Sequence, residues 1–131
     1  MKRTAVACMI GFMTWVVIAT LLNLVVRAAI TDYSAAERTL DFTLQMQLAR
    51  LALAALASIG AGWITTLVSV RGSRAALVCG TIVMAFMLPV HVKLWDKFPL
   101  WYHGFFLLTI VPFFWLGSAL AAALGSRSAT Q

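Results

Sequence analysis

Acidic side chains are almost missing from this chain. Only four occur in 131 residues, Asp32, Glu37, Asp41 and Asp96, and none falls inside a long apolar run. A carboxylate within a span takes up and releases the proton that drives ion-coupled exchange, so its absence counts against proton-coupled export. Charge of either sign is scarce as well, at 11% of residues against about a quarter in a soluble domain. With 63% hydrophobic residues and a mean hydropathy of +0.95, the chain is too apolar for disorder. It also lacks the polar faces that a soluble helical bundle presents to water. Its solvent is hydrocarbon.

Cysteine is equally sparse. Cys8 and Cys79 have no second cysteine nearby, which excludes a metal knuckle and a thioredoxin-type pair. Both are expected to pack as small apolar residues near the cytoplasmic ends of two different spans, where a reducing environment disfavours a disulfide. There is no serine nucleophile elbow, no HExxH, no phosphate-binding Walker loop and no glycine-rich dinucleotide turn. No enzymatic activity, catalytic residue or cofactor is expected.

What the sequence does contain is four long apolar runs, at 5–26, 48–70, 75–92 and 104–124. The first covers about 33 Å as a helix, enough for a bilayer core. Its basic start and the small residues around Val26 to Ala28 imitate a secretory signal, but signal-peptide cores are shorter, so an uncleaved span is expected. The fold class is therefore all-α, an integral membrane four-helix bundle built from two helical hairpins. No residue-by-residue repeat relates the hairpins, so a duplicated-half transporter is not supported.

The net charge of +6 comes from Lys and Arg placed singly or in pairs at the ends of the runs. That pattern reads as membrane-flank charge meeting lipid headgroups, not as a nucleic-acid surface. With the N-terminus inside, Lys2, Arg3, Arg71, Arg74 and Arg127 lie in the cytoplasm and Arg27, Arg38, Arg50, Lys93 and Lys97 outside. The inside charges sit in very short segments without acids, which favours both termini in the cytoplasm.

Between the first two runs, 27–47 is the main connecting loop. Thr31 or Asp32 is placed to cap a helix running through Glu37 and Arg38 into the second span, with the acids as a solvated face. Arg50 is expected to extend back toward the headgroups. Asn23 is read as a helix–helix hydrogen-bonding residue. Ala54, Ser58, Gly62 and Thr66 recur every four residues, as do Gly117, Ala121 and Gly125, giving small-residue stripes on which another helix can approach closely. Pro89 and Pro112 are expected to bend the third and fourth spans, and the tail from Gly125 is expected to fray.

The segment His91 to His103, HVKLWDKFPLWYH, holds both histidines. Leu94, Trp95, Phe98 and Trp101 fall on one side at helical spacing, and Trp95, Phe98, Trp101 and Tyr102 read as interfacial, with Pro99 interrupting the helix. His91, Asp96 and His103 are candidates for a divalent metal, although their spacing across a proline fixes no geometry; the alternative is hydrogen bonding to headgroups or backbone. Haem ligation by the two histidines requires the third and fourth spans to converge there. Trp15, Trp63 and Trp115, inside spans, read as packing residues or as the lining of an aromatic pocket.

The HVKLWDKFPLWYH stretch, followed by an apolar span with a proline and ending in LG, resembles small, uncharacterised multi-spanning proteins of bacterial inner membranes. The resemblance implies location and helical fold and carries no functional residue. Two functions are expected: a non-enzymatic protein acting by helix packing with itself or a larger membrane partner through the small-residue stripes, or a transporter or channel component for a small or hydrophobic solute, with a cavity opened by the proline bends.

Overall fold

The computed structural model describes residues 2–69 and 72–128, and every regular element among them is helical. α1 runs Lys2–Ala29, α2 Tyr33–Thr39, α3 Leu44–Val68, α4 Ser73–Lys93 and α5 Leu100–Ser128. All but α2 are long and apolar enough to cross a membrane, and they form a four-helix bundle of a multi-pass membrane protein. The helices overrun the apolar runs because flanking polar residues continue a helix once it is nucleated. The segment from Gly125 to Ser128, expected to fray, belongs to α5. Val70, the expected end of the second span, Arg71 of the basic turn, and Ala129 to Gln131 lie outside the described residues.

α1 packs on α3, and α4 on α5, as the two hairpins; α3 is also applied along α5 and so lies between α1 and α5. The small residues make this contact. A Cβ on Gly62 would collide with the Phe114 carbonyl oxygen, and one on Gly117 with that of Ile59, so only glycine allows the two backbones to meet. Ala54, Ser58 and Ala121 are buried alongside them. Gly62 and Gly117 of the stripes are thus packing positions that α3 and α5 use on each other within one chain, whereas Gly125 is exposed and a Cβ there would meet nothing.

Two clusters fill the interior. Cys8, Trp15, Ala57, Ala61, Cys79, Val83, Ile110 and Phe114 form the mid-bundle core, where both cysteines are free and buried. A second cluster, Tyr33, Ala36, Phe42, Met46, Leu51, Phe98 and Tyr102, closes the end of the bundle where α2 lies. In hydrocarbon the bundle needs no apolar interior to hold it, and large apolar side chains such as Leu108, Leu67 and Met9 point outward.

The connecting loop departs from expectation. α2 does not run into α3: Leu40 takes a left-handed conformation, φ 60°, and ends it. α3 starts afresh at Thr43, whose hydroxyl accepts the Met46 N–H at 3.4 Å. Asp32 does hold the position before α2, but its backbone is left-handed, φ 63°, and its side chain makes no capping bond. The two reversals fold α2 back over the mouth of the bundle. At the other connection, Gly72 with φ +49° makes the turn into α4.

Pro89 and Pro112 lie within continuous α4 and α5. Pro99 immediately precedes α5 and accepts the Tyr102 N–H at 2.9 Å, so the helix is interrupted where expected, but α5 begins at Leu100 rather than Gly104. Residues 94–97 form turns, and the anticipated one-sided stripe breaks up: Trp95 and Trp101 are exposed, whereas Phe98 and Tyr102 are buried.

Candidate solute site at the α2 end

The site is assembled from one residue or two on each helix. On α1, Asn23 and Arg27 are one turn apart and face α2. Arg27 Nε donates to Glu37 Oε2 at 2.6 Å and Asn23 Nδ2 to Glu37 Oε1 at 2.9 Å. The Tyr33 hydroxyl donates to Asn23 Oδ1 at 3.1 Å. Asn23 is therefore a helix–helix hydrogen-bonding residue, with α2 as its partner. Glu37, expected on a solvated face, is instead the acceptor at the centre of the cluster, its side chain 17% exposed.

From α3, Arg50 enters the same cluster. It does not reach for headgroups: Nη1 donates to the Tyr33 hydroxyl at 3.2 Å, Nε donates to the Tyr102 hydroxyl at 3.3 Å, and the guanidinium lies 4.8 Å from the centre of the Phe42 ring. The α2 lid explains the reversal, since it brings two phenols and a ring face within reach of a side chain that in a bare span would snorkel. Its nearest carboxylate oxygen, Glu37 Oε1, is 3.7 Å away, beyond hydrogen-bond distance. Burial pushes the Tyr33 phenol above its ordinary value, and Arg50 pulls it back only in part, so the hydroxyl keeps its proton.

Below this cluster a cavity of about 300 Å³ opens between the helices, lined by Trp15, Asn23, Glu37, Arg50, Met87 and Phe106 among others. On α1, α3 and α5 the outermost lining residue is polar, Asn23, Arg50 or Tyr102, and lies nearer the α2 end than Trp15, Leu53 or Phe106, with Thr20 between Asn23 and Trp15. The cavity thus has a polar rim and an apolar floor. Trp15 forms part of the floor, and its indole N–H donates to the Ser58 hydroxyl at 3.1 Å. Trp115 is exposed, and neither it nor Trp63 lines this space.

Beside the cavity stand the two histidines. His91 Nδ1 and His103 Nδ1 are 2.8 Å apart, so one ring donates and the other accepts. Trp95 stacks on His103 at 4.9 Å between centroids, and His91 lies against Phe106 at 4.5 Å. His103 is 1% exposed, and its Nε2 has no hydrogen-bond partner among the described residues. A small void of about 70 Å³ adjoins the pair, bordered by Arg50 and Tyr102.

The third and fourth spans do converge at the histidines, but the contact is a hydrogen bond. Two nitrogens on one tetrahedral metal would stand about 3.3 Å apart, and on opposite faces of one haem iron about 4 Å apart. Asp96 is exposed and takes no part. No group of three or more metal-ligating side chains occurs among the described residues.

Of the residues singled out in the sequence, the fold brings together His91 with His103, Gly62 with Gly117, and Trp15 with Ser58. Sequence reasoning missed Glu37, Tyr33 and Tyr102 as partners of Arg50. Two signals were available: an arginine inside an otherwise apolar run, and a tyrosine among charges in the longest loop. Fold and site together define a four-span helical membrane protein with a lidded, polar-rimmed cavity at the end opposite its termini. No family model, no curated protein and no solved structure matches the chain.

Proposed function

We propose that this chain binds a small, partly hydrophobic solute in the cavity at its α2 end, as a transporter or channel component of a bacterial inner membrane. The observation that carries this reading is the lining itself: polar groups converge at the rim of a concave space whose floor is apolar, the usual construction of a small-molecule site. Both termini are assigned to the cytoplasm, so the cavity faces outward. Its volume equals that of about ten water molecules in the liquid, which suits a solute of roughly ten non-hydrogen atoms. The test is flux into liposomes carrying the protein in one orientation, for a panel of such solutes. Selective uptake, reduced when Ala54 is replaced by Phe to fill the cavity, is the expected result. Absence of both uptake and saturable binding across the panel overturns the reading.

The association reading, packing with itself or with a larger membrane partner, has support of a different kind. Gly62 and Gly117 are occupied within the chain, but α1 and α4 leave an apolar groove lined by Cys8, Met9, Phe12, Val78, Ile82 and Phe86. Crosslinking a Met9→Cys variant in native membranes decides it: a discrete dimer or adduct supports association, and only monomer at several expression levels removes it.

A further inference from the structure

The geometry points to an anion with a short apolar body as the solute, its charged head held by Arg50; this rests on the cavity being the solute site. A guanidinium that lines a cavity inside a membrane span requires a counter-charge, because a charge taken out of water is costly unless paired. Arg50 has only a share of one: Glu37 Oε1 forms an ion pair with it at 3.7 Å, beyond hydrogen-bond distance, and both hydrogen bonds of the guanidinium go to phenol oxygens, on Tyr33 and Tyr102. Glu37 itself is satisfied elsewhere, by Arg27 at 2.6 Å and Asn23 at 2.9 Å. The cluster Arg27, Glu37, Arg50 therefore carries one positive charge in excess; Glu37 and Arg50 both line the cavity, and of the two only Arg50 has donors to spare for a solute.

The remaining groups complete the recognition. Arg50 presents five donors, of which two are engaged, leaving a fork suited to two oxygens of a carboxylate or phosphate. The guanidinium lies over the Phe42 ring, its carbon 4.8 Å from the ring centre. Below the head, Trp15, Leu53, Met87 and Phe106 offer apolar surface, continuing for about 12 Å along α1 from Asn23 to Trp15. A carboxylate with a ring or short alkyl chain meets both requirements, and so does the phosphate end of a lipid.

The experiment is equilibrium binding of benzoate, benzylamine and benzyl alcohol to the full chain in nanodiscs of zwitterionic lipid. These three share shape and differ in charge. Benzoate is expected to bind at least about tenfold more tightly than either, the value of a hydrogen-bonded charge. Arg50→Gln is expected to abolish that preference and Arg50→Lys to retain most of it. Repeating the measurement in discs rich in anionic lipid separates the sources: unchanged affinity assigns a free solute, whereas competitive loss of benzoate assigns a lipid head to the same anion site. Equal binding of all three overturns the anion inference and leaves the cavity reading standing. No saturable binding of any of them, in either lipid, overturns both. The comparison within the unaltered protein does not depend on how the Arg50 variants fold.

Discussion

At the α2 end one carboxylate receives the short charged contacts: Arg27 Nε at 2.6 Å and Asn23 Nδ2 at 2.9 Å. Glu37→Ala leaves Asn23 short of an acceptor and two arginines without a carboxylate, with a cost of about 2 kcal/mol. Arg27→Ala removes a side chain that is 46% exposed, and its cost stays below about 1 kcal/mol. Reversible unfolding in mixed micelles measures both, and the opposite ranking would contradict the described network. Tyr33 supplies a pH signature. Its folded pKa is raised, so folding favours the protonated phenol: the stabilisation is fully present below the unfolded value near 10 and is lost as pH climbs through the higher folded value. Midpoint temperature should fall more steeply above pH ~10 in the unaltered protein than in Tyr33→Phe. The histidine pair can be read directly. One Nδ1 must carry a proton that the other lacks, so nitrogen NMR of histidine-labelled protein should show two inequivalent Nδ1 signals; two matching tautomers would rule the contact out.

Among the elements, the α3–α5 contact tests the packing argument most sharply. Gly62→Ala and Gly117→Ala drive a methyl into a backbone carbonyl of the facing helix, which cannot swing aside as a side chain can. Each should destabilise by about 2–4 kcal/mol, in the range of overpacking with backbone displacement. Gly104→Ala and Gly125→Ala meet nothing and should be neutral or stabilise by up to about 1 kcal/mol, since alanine is the better helix former. Equal effects at all four positions, measured by the same unfolding assay, would show that α3 and α5 do not meet at these glycines. These elements also show what the sequence could and could not reveal. The spans and the small-residue stripes were readable because both depend on spacing along one helix. α2 was readable as a helix but not as a lid, because its placement follows from two left-handed residues, Asp32 and Leu40, of types that carry no turn signature as strong as glycine. Once α2 is misplaced, Glu37 reads as solvated and Arg50 as snorkelling, so the candidate site disappears from the sequence although every residue in it is visible there. Contacts between distant helices, such as Arg50 with Tyr102, have no local spacing to betray them.

For the whole molecule the deciding question is which way the cavity faces. The ten basic residues divide equally between the two ends, and all four acids belong to the α2 end. Of the five basic residues there, Arg27 is bonded to Glu37 and Arg50 is drawn into the bundle. That leaves Arg38, Lys93 and Lys97 at this end against the five basic residues the sequence places at the other, in short segments without acids, which favours the other end as the cytoplasmic one. A reporter active on only one membrane side, fused at each terminus and inserted after Asp41 and after Lys97, should read both termini as cytoplasmic and both insertions as external. Inverted readings would turn the cavity to the cell interior and make the solute an intracellular one. Loss of an N-terminal tag with the first 28 residues would be more damaging. α1 supplies Trp15, Ala19, Thr20 and Asn23 to the cavity wall and Arg27 to Glu37, so a chain cut after Ala28 would lack one wall of the cavity and the donors that occupy Glu37 beside Arg50. An intact first span is the condition on which the site depends, and the terminal tag tests it directly.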